Sequence, residues 1–206
     1  MTTSTTAGPN PIEKTPGVTR AAREALKRHR GVTVWLTGPR GAGKYTLARL
    51  LDRTLTDWGV HCQLLDADAV RHGLNRDLGA SAAGHEESIR RIGEVAKLFT
   101  QAGLITLVVC STPYRAVREQ ARAMQNAGDF IEVYAECPRD VCELRDAQHE
   151  RPRAWNGQTP DRPIPPAAYE SPQAPELVLH TDSETPTQSS RRVIEYLDEH
   201  EYLFGV

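Results

Sequence analysis

The segment Gly38-Pro39-Arg40-Gly41-Ala42-Gly43-Lys44 fits the pattern G-x-x-x-x-G-K. Glycines at that spacing let backbone N–H groups turn inward onto phosphate oxygens. A helix starting there aims the positive end of its dipole at the same oxygens, and the lysine reaches the β- and γ-phosphates. The spacing alone is a weak signal, but its setting strengthens it. A β-rich run, Val32 to Thr37, precedes the loop, and a helical pattern, Tyr45 to Trp58, follows it. The reading is a phosphate-binding loop for a purine nucleoside triphosphate, with Gly38, Arg40, Gly41, Ala42, Gly43, Lys44, Tyr45 and Thr46 around the phosphates. One position departs from the pattern. After the lysine the motif takes Ser or Thr, whose hydroxyl binds Mg2+; here Tyr45 stands. Thr46 lies about 100° further round the helix, so it does not simply take over. A phenol at this point is expected to crowd the metal.

Asp66 and Asp68 fall at the end of a second β-rich run, Cys62 to Asp66. Ligands of open α/β sheets bind beyond the carboxyl ends of the strands. Carboxylates there can hold Mg2+ or take a proton from an attacking hydroxyl. They can equally be helix caps, and Asp68 has the better capping case. Arg71, Arg90, Arg91 and Arg115 sit in or near helices that follow strands. The guanidinium fork suits phosphate and sulfate, although exposed arginine is the default. The histidines His61, His72, His85, His149, His180 and His200 are scattered and form no ligand set.

These residues need a scaffold. Periodicity predicts helices over Val18–Arg30 (ended by Gly31), Tyr45–Trp58 (capped by Gly59), Ala69–Asn75, Glu86–Ala102, Tyr114–Gln125, Arg139–Ala147 and Thr187–His200. Strands are predicted over Val32–Thr37, Cys62–Asp66, Leu104–Cys110, Phe130–Ala135 and Glu176–His180. Alternating strands and helices imply a parallel sheet covered on both faces, an α/β three-layer fold. The stretch from Gln148 to Pro175 breaks the rhythm with seven prolines; a lid or substrate loop is the favoured reading, a solvated insertion the plain one. The 206 residues suit a single domain spanning 18–206 behind a disordered tail, 1–17. A net charge of −2 argues against a nucleic-acid surface. The four cysteines form no CxxC pair and read as free thiols of a reducing compartment. There is no secretory core and no run long enough to cross a membrane, so a cytoplasmic protein is expected.

Several segments together resemble the adenylylsulfate kinases. They are Trp35-Leu36-Thr37-Gly38 with Gly41-Ala42-Gly43-Lys44, Leu65 to Gly79, Ile89 to Phe99, Pro113-Tyr114-Arg115, Phe130 to Tyr134, Arg145-Asp146, and Tyr169-Glu170-Ser171-Pro172 before Glu176 to Leu179. The similarity runs from about Gly31 to Leu203. It implies a P-loop kinase fold and an activity in sulfate assimilation: transfer of the ATP γ-phosphate to the 3′-hydroxyl of adenylyl sulfate, with Mg2+. It implies Lys44 for the phosphates and Asp66 and Asp68 near metal and acceptor hydroxyl, Asp66 being the metal candidate. It also implies Arg71, Asn75, Arg90, Ser111 and Pro113 on the acceptor side, with the backbone from Ile105 to Ser111 as pocket wall. Arg145 would sit near the ATP base, and a homodimer is implied.

Departures from that pattern cluster. Tyr45 replaces the family's serine, Ala80 the aromatic that stacks on the acceptor's adenine, His85 an arginine and Ser88 an asparagine. Ser111-Thr112 replaces Ile-Ser, and Gln148 to Pro152 stands where the family has a Gly-Leu-Tyr-Lys-Lys lid. Three outcomes stay open: an adenylylsulfate kinase, a kinase for another hydroxylated small molecule, and a nucleotide-binding protein without turnover. Intact Lys44, Asp66, Asp68 and Arg71 favour catalysis, Tyr45 the last outcome, and Ala80, His85 and the changed lid either of the latter two.

Overall fold

The computed structural model describes residues 17–79, 81–155 and 169–204, with backbone alone over 148–155. Among them run α1 (Arg20–Lys27), β1 (Val32–Thr37), α2 (Lys44–Asp57), β2 (Cys62–Asp66), α3 (Ala67–His72) and α4 (Ala82–Gln101). There follow β3 (Ile105–Val109), α5 (Arg115–Ala123), β4 (Phe130–Glu136), α6 (Arg139–Trp155), β5 (Leu177–His180) and α7 (Pro186–Glu199). The five strands are all parallel, in the order β2-β3-β1-β4-β5. This is the α/β three-layer fold expected, with β1 in the middle.

Alternation along β1 builds the two cores. Val32, Val34 and Leu36 join Leu47, Leu51 and Leu55 of α2 and Val193 and Leu197 of α7 on one face. Trp35 joins Ile89, Ile92 and Ala96 of α4 and Val117 and Ala121 of α5 on the other. Every residue of β1 is buried, as a strand between two helical layers requires. Each buried leucine of α2 contributes about 1.5–3 kcal/mol, so the helix carrying Lys44 is fixed by its apolar stripe. Trp35 stacks on Phe130 at 5.6 Å.

Several boundaries differ from expectation, α3 among them, which runs Ala67–His72 and not Ala69–Asn75. α1 stops at Lys27, and Arg28, not Gly31, takes the left-handed turn at φ 60°. Gly31 serves another need: a Cβ there would lie 2.2 Å from the Thr100 carbonyl oxygen. α4 begins four residues early, at Ala82, because the Ser81 side chain accepts from the Gly84 N–H. α6 continues through Trp155, eight residues beyond Ala147, into the stretch read as a loop. The expected tail, apart from Gly17, and the expected lid over 156–168 lie outside the described residues, as does Ala80. Among the described residues the four cysteines are free thiols, and no helix is long and apolar enough to cross a membrane.

Candidate active site

The register assembles the site before any side chain is considered. Val109, last of β3, pairs with Asp66 on one side and Leu36 on the other. The loop opening at Gly38, the turn opening at Cys110 and the carboxylate of Asp66 therefore emerge side by side at the carboxyl edge of the sheet. That is where an open α/β sheet binds ligands.

The glycine loop is shaped as the motif demands. Gly38, Gly41 and Gly43 all have positive φ, at 144°, 83° and 80°. Gly38 passes so close to β4 that a Cβ would sit 2.5 Å from the Ala135 carbonyl oxygen. Ala42 is buried against Ala135, Cys137 and Cys142, which seats the loop on β4 and α6. The Lys44 ammonium donates to the carbonyls of Gly38 and Pro39, both at 2.7 Å. Burial pushes it down to about 8, so it gains charge stabilisation from any anion entering the loop. Arg40 pairs with Asp146 of α6 at 2.7 Å. Arg145 donates to the Thr181 carbonyl at 2.9 Å, tying α6 to the chain after β5.

Tyr45 is turned toward Arg49. Its ring faces the Arg49 guanidinium at 4.6 Å and its hydroxyl accepts from Arg49 at 3.0 Å. The phenol is thus engaged one turn along α2. Thr46 is exposed on the same first turn. The capping assignment is reversed from expectation: Asp66, not Asp68, caps α3, its Oδ1 accepting from the Asp68 N–H at 3.0 Å. The chain turns into α3 directly after β2, so the cap falls at the strand end. The hard oxygen donors of Asp66 and Asp68, at the strand edge that also carries the phosphate loop, are of the type that suits Mg2+, which keeps several waters and takes one or two carboxylates.

On the acceptor side the predicted residues separate. Arg71 is partly buried on α3, close enough to His85 to depress its basicity further. Asn75 is buried; its amide nitrogen donates to Ser88 Oγ at 2.7 Å while its Oδ1 has no partner. His85 Nε2 is likewise buried and unpartnered. Burial lowers its pKa, against the Ser111 carbonyl that faces the ring. Arg90 forks onto Glu87 at 2.7 and 2.9 Å on the exposed face of α4. Arg91 bridges Glu87 and Asp77 and so fastens the α3–α4 link. Hydrogen bonds from Arg90 and Arg91 hold the Glu87 carboxyl down to about 2. Ser111 is exposed at the end of β3, and the Pro113 carbonyl accepts from the Glu170 N–H at 2.9 Å.

Sequence reasoning missed the buried polar cluster beneath this edge. Arg118 of α5 and Glu132 of β4 form a buried ion pair at 2.8 Å. Thr37 Oγ1 meets the Tyr169 hydroxyl at 2.8 Å and Thr112 Oγ1 at 3.3 Å. The signal was Glu132 itself, a lone carboxylate in the apolar run Phe130 to Ala135. A buried charge needs a partner, and breaking such a pair costs about 3–5 kcal/mol.

A glycine loop at the end of the central strand, its lysine in place and a carboxylate on the flanking edge, defines a P-loop phosphotransferase. Residues 30–180 match the family described as Adenylylsulphate kinase, and the chain belongs to that family. An adenylyl-sulfate kinase of Lactiplantibacillus plantarum is 44% identical over 186 residues, 90% of each chain. The bifunctional enzyme NodQ of Rhizobium sp. is 42% identical over 183 residues, 89% of this chain and 29% of its own. The Mycobacterium tuberculosis APS kinase CysC, solved in complex with AMPPNP and APS, superposes with a TM-score of 0.70. It is 35% identical, covering 82% of this chain and 99% of that one.

Proposed function

We propose that this protein, as one domain from residue 18 onward, transfers the γ-phosphate of ATP to the 3′-hydroxyl of adenylyl sulfate. The observation that carries the reading is the register: phosphate loop, Asp66 and the turn at Ser111 share one edge of the sheet. Backbone N–H groups from Gly41 to Lys44 and the Lys44 ammonium hold the β- and γ-phosphate oxygens. Arg145, anchored on Thr181, lies on the base side. Asp66 and Asp68 are the residues that would hold Mg2+, directly or through water, and when bound the ion would supply positive charge to offset that of the phosphates. Arg71, Asn75, Ser111 and Pro113 line the acceptor side. Arg90 reaches the acceptor only by exchanging Glu87 for it. The 3′-oxygen forms the new bond to the γ-phosphorus as the bond to the bridging oxygen breaks. That electron pair leaves with ADP, and the hydroxyl proton passes to a carboxylate at the end of β2.

A second reading is favoured by one observation. Asn75 Oδ1 and His85 Nε2 are buried, unpartnered and uncharged or weakly basic, a setting that suits an acceptor offering hydrogen-bond donors. Release of ADP under Mg-ATP, measured with adenylyl sulfate beside other nucleotides and small alcohols, separates the readings. Turnover with adenylyl sulfate alone supports the first, turnover only with another alcohol the second. Nucleotide binding without turnover on any acceptor defeats both. Self-association into a homodimer belongs to the proposal as well; a single 22.8 kDa species in light scattering would count against it.

A further inference from the structure

Arg118 is buried, yet it spends its donors on three different segments of chain. Nε donates to Glu132 Oε1 of β4 at 2.8 Å, Nη1 to the Thr112 carbonyl at 2.6 Å, and Nη2 to the Glu170 carbonyl at 2.6 Å. Its guanidinium also lies 5.1 Å from the centre of the Tyr169 ring. A flat fork with five fixed donors can satisfy a carboxylate and two carbonyls in divergent directions, which a lysine cannot do from one point.

The two carbonyls belong to segments far apart in sequence. Thr112 lies in the turn between β3 and α5; Glu170 lies in the stretch that leads into β5. The same two segments grip each other a second time. The Glu170 N–H donates to the Pro113 carbonyl at 2.9 Å, and the Glu170 carboxylate accepts from the Arg115 N–H at 2.8 Å. Tyr169 adds a hydroxyl bond to Thr37, directly before the phosphate loop, and stacks on Tyr134 at 5.8 Å. The turn starting at Ser111 is therefore not a loop carried by its own sequence. It is clasped from the far side by residues 169–170, and Arg118 closes the clasp.

We propose that Arg118 and Glu170 are positioning residues for the acceptor side of the site: together they lock the turn from Ser111 to Arg115 to residues 169–170. The identity of the acceptor rests on the kinase reading; the clasp does not. Neither residue touches the phosphate loop, so loosening the clasp releases the acceptor wall and leaves the donor side in place.

Two variants test this. Glu170 is exposed, so Glu170→Ala removes one grip without emptying a core. Arg118→Lys keeps the buried charge and loses the fork. For Glu170→Ala, loss of one hydrogen bond raises the KM for adenylyl sulfate about fivefold, while the Kd for a non-hydrolysable ATP analogue stays within about twofold. Glu170→Gln, which still accepts from the Arg115 N–H, restores the KM. Arg118→Lys raises it further, by about twentyfold if two bonds are lost. Hydrogen exchange at the amides of Thr112, Tyr114 and Arg115 speeds up in Glu170→Ala and Arg118→Lys and is unchanged at the amides of Arg40 to Lys44. Equal loosening of both segments, an unchanged KM, or failure of Gln to rescue would overturn the proposal. If the unaltered protein turns over no adenylyl sulfate, the kinase reading fails by itself. Exchange at Thr112, Tyr114 and Arg115 then still decides the clasp: unchanged exchange in both variants refutes it.

Discussion

Alanine at Gly41 and at Gly43, one at a time, separates two demands the phosphate loop makes of glycine. Both residues have nearly the same backbone, φ +83° and +80°. A side chain in that conformation costs about 1–2 kcal/mol, and this term is common to the two variants. Space is not. A Cβ on Gly43 meets nothing within 4 Å, whereas one on Gly41 falls 2.2 Å from the Cys142 carbonyl oxygen and 3.0 Å from its Cα. The obstacle is the backbone of α6, which cannot rotate aside as a side chain could. Restoring a contact of about 3.5 Å requires loop and helix to part by roughly 1 Å. Overpacking of that kind adds about 1–3 kcal/mol. Gly43→Ala is therefore expected to cost about 1–2 kcal/mol and Gly41→Ala about 2–5 kcal/mol. In a domain this size each kcal/mol lowers Tm by about 2–4 °C. Scanning calorimetry should place Gly41→Ala well below Gly43→Ala. Variants that melt together, or Gly43→Ala melting lower, would refute the idea that α6 is the wall against which the loop is built.

Other expectations follow from the same geometry. Burial holds Lys44 down to about 8, so affinity for an ATP analogue should fall above pH 8, by up to about tenfold per pH unit; Lys44→Met should be weak and flat with pH, and a flat wild-type profile to pH 9.5 would count against the assignment. His29 is buried, its Nε2 accepting from the His61 N–H at 3.0 Å, and its pKa is lowered from 6.5 by burial. The unfolded chain then binds more protons, so stability falls as pH drops through about 6.5 and below. His29→Phe should flatten part of the fall in Tm between pH 7.5 and 5.5, and an unaltered slope would contradict this. Tyr45→Ser should change Tm by only about 1–4 °C, since an exposed cation–π contact contributes about 0.5–1 kcal/mol. It should strengthen the dependence of ATP-analogue affinity on Mg2+ in calorimetric titration. An unchanged ratio with and without Mg2+ would mean that position 45 is not a metal contact.

Much of this was legible in the sequence for a physical reason. The continuous β-rich run Val32 to Thr37 and the apolar stripe Leu47, Leu51, Leu55 are local patterns, and they were enough to locate β1, α2 and the loop between them. The carboxylate edge followed from the alternation of strands and helices, since the strands of a parallel sheet all end on the same side. Where reading failed, the deciding contact was distant or competed with a local preference. Gly31 looked like a helix stop, but its cause is Thr100, far along the chain. Asp68 looked like a cap, but the abrupt turn from β2 into α3 gave that role to Asp66. Arg118 sat among exposed charges in the amphipathic pattern of α5, and only packing against Glu132 marks it as buried. Tyr45 departs from the motif in type, and only the fold shows that Arg49 occupies its phenol.

The most direct test of the central reading is the position of the phosphate in the product. The protein is incubated with Mg-ATP and adenylyl sulfate, or with its 3′-deoxy analogue, and products are followed by phosphorus NMR and mass spectrometry. One phosphate on the 3′-oxygen of adenylyl sulfate, stoichiometric ADP, loss of both with Lys44→Met and no product from the 3′-deoxy compound are expected. ADP formed at the same rate from the 3′-deoxy analogue, or no phosphorylated adenylyl sulfate at saturating ATP, would contradict it.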